Sequence, residues 1–224
     1  MRLRSNLSSS VFSSVLMNWV AGFVTEIDFD SVASGTVVNN AYRGVALNAV
    51  PLKNPTPGAG FGSVYASNGA DPGNQDSPPN VVTINKPPQA AGINDSVGGI
   101  QVTFTSPQLY VSIDTRAIVT AADPRNPNSN APYMEIYGVP IQLIPPAHLP
   151  PALIATVSLA PLAANPNFES WQTLDFVSTS PTPNIGSIIF SCSSSGAVGA
   201  SVYALFDRLR FAHHLPLTAT FKEG

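Results

Sequence analysis

The sequence predicts an all-β protein, a β-sandwich or jelly roll preceded by a short N-terminal helix or arm. Three observations carry that expectation. Twenty-two prolines and 16 glycines are spread along the 224 residues, punctuating the chain as many short strands and turns require. Between these breakers lie short runs of β-branched and aromatic residues that alternate with polar ones. No helical period survives past residue 24, and counting the runs gives about ten to twelve short strands, the pattern of a sandwich or jelly roll.

Residues 1–24 stand apart. Met1-Arg-Leu-Arg4 is basic, and Phe12, Leu16, Trp19 and Phe23 recur at helical spacing. A secretory leader and a short helix or arm that packs on the sandwich or on a neighbouring chain both fit the stretch. It is too short and too polar to span a bilayer. From Thr25 the strand signal takes over. Glu26-Ile-Asp-Phe-Asp30 alternates, with Ile27 and Phe29 inward and three carboxylates opposite. Ser34-Gly35 turns the chain, and strand pieces follow at 36–38 and 42–47. A Pro/Gly loop at 51–60 leads to a short strand at 61–66, and a second turn-rich loop fills 68–80.

Strands are then expected at 81–84, 99–105 and 108–116, with Pro107 marking the corner between the last two. A polar loop at 122–130 precedes Tyr133-Met-Glu-Ile-Tyr137, where Tyr133, Glu135 and Tyr137 share one face. Five prolines between 138 and 151 make that segment an irregular crossing. Strands at 152–159, 171–177 and 185–192 lead to the last one, 201–211. Simple alternation there puts Leu205, Asp207, Leu209 and Phe211 on one face, with Phe206, Arg208 and Arg210 on the other. A carboxylate among large apolar side chains requires a partner or a wet strand end, because burying it alone costs several kcal/mol. The domain reading is an arm over 1–24, one sandwich over 25–212 and a tail over 213–224.

Composition narrows the function classes. Charged residues make up 10% of the chain, against about a quarter in typical domains. The polar surface is therefore built from Ser, Thr, Asn and Gln, which suits a secreted or cell-surface protein. A net charge of −3 with no basic stripe offers nothing to neutralise phosphates, so no nucleic-acid partner is expected. The single cysteine, Cys192, excludes an internal disulfide, and its apolar setting reads as a buried structural thiol.

Six short motifs then occur in order: Ile27-Asp-Phe-Asp-Ser31, Gly35-Thr-Val-Val38, Tyr42-Arg-Gly-Val45, Val111-Ser-Ile-Asp114, Trp171-Gln-Thr-Leu174 and Tyr203-Ala-Leu-Phe-Asp-Arg-Leu-Arg-Phe211. Together, over about residues 25–211, they resemble the secreted bacterial β-sandwich domains of galactose-binding-like, carbohydrate-binding-module type, as found in exported proteins of the PEP-CTERM kind. The resemblance implies a structural calcium where the first and last strands meet, with Asp28 or Asp30 and Asp207 as its ligands. Ca²⁺ takes six to eight oxygens from separate segments, which agrees with carboxylates converging there. The alternative is that Glu26, Asp28 and Asp30 form the solvated face of an edge strand. The chain departs from the pattern at Arg208, where the family carries Asn, and in its ending, Ala212-His-His-Leu-Pro with a polar tail in place of a sorting helix.

Catalytic signatures are sparse. There is no Gly-x-Ser-x-Gly elbow, no His-Glu-x-x-His, no Cys-x-x-Cys and no glycine-rich phosphate loop. A hydrolase would have to combine a loop serine with His148, His213 or His214. Sugar binding asks for less: aromatic rings that stack on pyranose faces and nearby hydrogen-bonding groups. Tyr65, Tyr133, Tyr137 and Trp171 are the candidates, although the Tyr133–Tyr137 face reads equally as core and the resemblance puts Trp171 in the core. The leading expectation is a non-catalytic extracellular sandwich that binds carbohydrate or another extracellular polymer, with a structural calcium. The alternatives are a self-assembling surface protein whose N-terminal arm makes a homo-oligomer, and the loop-built hydrolase.

Overall fold

A computed structural model describes residues 24–51, 62–68, 80–85, 92–93, 98–119, 131–139, 141–142, 148–149, 151–160, 169–193 and 202–214. The expected N-terminal helix or arm and the end of the tail lie outside them. The described strands are β1 (Thr25–Ile27), β2 (Val45–Val50), β3 (Tyr65–Ser67), β4 (Val81–Thr83), β5 (Gly99–Gln108), β6 (Tyr110–Val119) and β7 (Pro132–Gly138). Then come β8 (Ile141–Gln142), β9 (His148–Leu149), β10 (Leu153–Ser158), β11 (Gln172–Val177), β12 (Ile185–Cys192) and β13 (Val202–Ala212). No helix occurs among the described residues, so none there is long and apolar enough to cross a membrane.

The strands form two antiparallel sheets packed face to face, a β-sandwich. One runs β11-β6-β13-β4-β3, with β1 also paired to β13, and the other runs β10-β7-β12-β5-β2. The small ladder β8-β9 closes part of the proline-rich crossing. The last strand is therefore the middle of its sheet. Its inner side chains meet the opposite sheet as aromatic pairs: Phe206 on Phe190 with ring centroids 4.7 Å apart, and Phe211 on Phe104 at 5.2 Å. Such tilted pairs add to the area they bury. Cys192 is fully buried, as its apolar surroundings predict.

Several strand assignments change in detail: the piece expected at 36–38 is an isolated bridge at Val37, the one at 42–47 shifts to β2, and the one at 61–66 shortens to β3. β5 continues through Pro107 to Gln108, and the corner falls at Leu109. The proline is tolerated because the ladder to β12 is interrupted there, between the pairs Thr103–Ser187 and Gln108–Ile185, so no bond needs its missing N–H. Gly186 sits in the same interruption, where an added Cβ would lie 2.8 Å from the Gly138 carbonyl oxygen of β7. At the other end of the chain, β1 stops at Ile27. Phe29 turns at φ 62°, which ends the strand yet still buries the ring against Tyr42, edge-on at 5.6 Å.

The larger correction concerns β13. Simple alternation put Leu205 and Asp207 on the face of Leu209 and Phe211, and the structure does not. Between Asp207, opposite Asp114, and Arg210, opposite Ser112, β13 spends one more residue than β6. This is a β-bulge, with Arg208 at φ 44°. A bulge exchanges the faces. Phe206 before it and Leu209 and Phe211 after it all enter the core, while Leu205 and Asp207 face outward. The left-handed backbone costs an ordinary L-residue about 1–2 kcal/mol, and asparagine is one of the few that enters it readily. Arg208→Asn is therefore expected to raise the melting temperature, corresponding to about 1 kcal/mol of added stability. A scan of the two proteins side by side checks it, and a drop would contradict the strain.

Candidate functional site

β7 alternates without interruption. Met134 and Ile136 are buried in the core, so Tyr133, Glu135 and Tyr137 project from the outer face of the five-stranded sheet, all three half-buried. Tyr137 Oη donates to Glu135 Oε2 at 2.6 Å. Burial, the hydrogen bond to Glu135 and the Glu135 charge push the Tyr137 pKa up to about 12, so the phenol holds its proton across the physiological range. Because Tyr133 and Tyr137 are four residues apart on an extended strand, their attachment points are about 14 Å apart.

Neighbouring strands extend this face. Glu135 stands opposite Thr156 of the edge strand β10 on one side and Ile189 of β12 on the other. Ile189 pairs in turn with Gln101 of β5, and Gln101 with Asn48 of β2. Thr156 and Asn48 are exposed and Gln101 is half-buried. Across β2, β5, β7, β10 and β12, Glu135 alone carries charge. The tyrosines and the glutamate were legible as one face from local alternation. Gln101 and Asn48 were not, because only the pairing of strands distant in sequence aligns them.

Trp171 does not join the tyrosines. It precedes β11 in the other sheet and packs with Leu205, Val81 and Ile118 in a small apolar cluster. Since Leu205 faces outward there, the indole lies on the opposite side of the sandwich from Tyr133 and Tyr137. Its Nε1 is buried and has no hydrogen-bond partner among the described residues.

The three aspartates expected at a metal sit near the β1–β13 junction but in different settings. Asp28 is exposed and its Oδ1 accepts the Asp30 N–H at 3.1 Å; Asp30 is half-buried and its Oδ1 accepts the Asn80 N–H at 2.8 Å. Asp207 is fully buried, with its Oδ1 accepting the Arg208 N–H at 2.7 Å. Among the described residues no group of three or more His, Cys, Asp or Glu side chains is placed to hold a metal ion. Any ion here would thus draw on amide or carbonyl oxygens as well. One is suitable: Asn80 donates from Nδ2 to the carbonyls of Phe29 and Val32, and among the described residues its buried Oδ1 has no donor.

The densest charged cluster was not anticipated. Asp114, on the outer face of the six-stranded sheet, accepts from Arg210 Nη1 at 3.0 Å and Nη2 at 2.7 Å, and from the Thr173 hydroxyl at 2.6 Å. Arg210 Nε reaches Glu26 on β1 at 2.6 Å. Burial works against the arginine's charge, but the two carboxylates outweigh it and hold its pKa above the ordinary value. The cluster ties four strands together, β1, β6, β11 and β13. Of the histidines, His213 donates from Nδ1 to the Pro107 carbonyl at 2.5 Å and meets His214 edge-on, while His148 lies on β9.

No family model matches the sequence, and no curated protein matches it. Among solved structures, the K2 cleaved adhesin domain of Lys-gingipain aligns over 85% of this chain and 98% of that one, at 10% identity and a TM-score of 0.34. A likeness this loose carries no argument about fold or function.

Proposed function

We propose that the protein is a non-catalytic, extracellular β-sandwich that binds carbohydrate or another extracellular polymer on the outer face of its five-stranded sheet. The observation that carries this reading is the Tyr133-Glu135-Tyr137 face, two outward aromatic rings flanking a carboxylate that one of them holds in place. Aromatic rings stack on the C–H faces of sugars, and a fixed acceptor between them orients hydroxyl groups. Secretion or surface display follows from this reading and from the uncharged polar composition. Tyr133→Ala and Tyr137→Ala are each expected to weaken polysaccharide binding at least about tenfold, corresponding to about 1.4 kcal/mol. Affinity gels against a polysaccharide panel read the effect. Trp171→Ala should leave binding unchanged, and binding that survives both tyrosine substitutions would refute the face.

A structural calcium belongs to the same proposal. Asp30 would supply a carboxylate and Asn80 its orphaned Oδ1, with Asp28 and Asp207 as the remaining candidates. The role is structural: Ca²⁺ would tie the turn after β1 to the start of β4, and oxygen ligands on separate segments are what it prefers. The expected outcome is a fall in melting temperature on adding a chelator, reversed by excess Ca²⁺. An unchanged melting curve would remove the metal and leave the sugar face standing.

A further inference from the structure

The proposed binding face belongs to a sheet whose five strands carry one charged residue, Glu135, whereas the other sheet carries Glu26, Asp114, Arg116, Asp175, Asp207, Arg208 and Arg210 on its strands. That asymmetry bears on the ligand. A charged polymer is recognised by several paired charges, and the five strands carry no basic residue to meet an anion and a single acidic one to meet a cation. The one charge on these strands is negative and would repel an anionic chain. Hydroxyl groups suit the same surface. They donate to Glu135, whose Oε2 already accepts from Tyr137, and exchange bonds with the Gln101 and Asn48 amides and the Thr156 hydroxyl aligned with it across the sheet.

Dimensions bear on the ligand as well. The attachment points of the two tyrosines are about 14 Å apart along β7, and those of Glu135 and Gln101 two strand spacings, about 10 Å. A ligand that lies over both tyrosines and reaches Gln101 is longer than one sugar ring. We infer that this face takes an uncharged polysaccharide along its length, an internal stretch of several units running with β7 and stacked on Tyr133 and Tyr137. Glu135 acts as the determinant that excludes acidic chains. This rests on the reading of the face as a sugar-binding one and names its ligand class.

The test uses the full chain and three soluble probes in affinity gels: a mixed-linkage β-glucan and a galactomannan as neutral chains, and polygalacturonate as an acidic one. The wild type should be retarded by at least one neutral chain, and at least about tenfold less by polygalacturonate. Glu135→Gln, which keeps an acceptor for Tyr137, should bring the acidic chain to within about threefold of the neutral one. A hexasaccharide cut from the bound polymer should compete, and its monosaccharide should not. Circular dichroism melts confirm that the variant is folded, and Gln101→Ala, on a separate strand, should weaken neutral binding independently. Equal binding of polygalacturonate by the wild type, or unchanged discrimination in Glu135→Gln, would overturn the charge argument while the tyrosine substitutions still report on the face. Competition by the monosaccharide would overturn the length argument alone. Failure of all three polymers to bind would overturn both this inference and the reading beneath it.

Discussion

Replacing Arg210 with methionine is expected to cost about 3–5 kcal/mol of folding stability, the range for removing one partner of a buried ion pair. The geometry explains so large an effect for one surface-facing side chain. Asp114 has 6% of its side chain exposed and receives two of its hydrogen bonds from the guanidinium. Without Arg210, the Thr173 hydroxyl is left to solvate a carboxylate in the middle of a sheet. Methionine keeps the aliphatic length, so the loss reports the charge rather than the packing. Glu26 loses its partner too, but with 47% of its side chain exposed it returns to water at little cost. Adding Asp114→Asn to Arg210→Met should recover much of the loss, because the neutral pair leaves no buried charge. Urea unfolding of both single variants and the double variant measures the coupling directly. An Arg210→Met cost below about 1 kcal/mol would place this pair with ordinary surface bridges.

That cluster also shows where the sequence stops being legible. Tyr133, Glu135 and Tyr137 fall on one face because five residues of uninterrupted strand suffice to set it, and the structure agrees. Asp114 and Arg210 are 96 residues apart, and nothing local marks them as partners. Their meeting depends on β13 lying beside β6 in one particular register. A single bulge decided that register. Read as unbroken alternation, the last strand put Arg210 on the face opposite Asp207 and left Asp207 among the core side chains. With the bulge at Arg208, Asp207 and Arg210 share the outer face with Asp114. Arg208 is the residue of β13 with positive φ, and arginine is not among the residues that favour that conformation, so nothing local marks the bulge. Sequence order likewise does not say which of two sheets a strand joins, so only the structure separates Trp171 from the two tyrosines.

The bulge itself yields to a comparison of neighbours. Phe206→Ala is expected to cost about 3–5 kcal/mol, because the ring is fully buried between the sheets against Phe190 and its loss leaves a cavity walled by both. Leu205→Ala should cost less, near the 2 kcal/mol end of the range for buried leucines. Leu205 is nearly as buried, at 3%, yet its partners are Val81, Ile118 and Trp171 in a small cluster on the outer face. Ile118 and Trp171 are only partly buried and can move into the gap, which is what separates low from high costs at fixed chemistry. Unbroken alternation makes the opposite prediction, with Leu205 in the core beside Leu209 and Phe206 outside with Arg208. Measuring both variants by urea unfolding therefore tests the face exchange rather than burial in general. If Leu205→Ala proved the more damaging of the two, the bulge at Arg208 would be wrong, and with it the placement of Asp207 on the outer face.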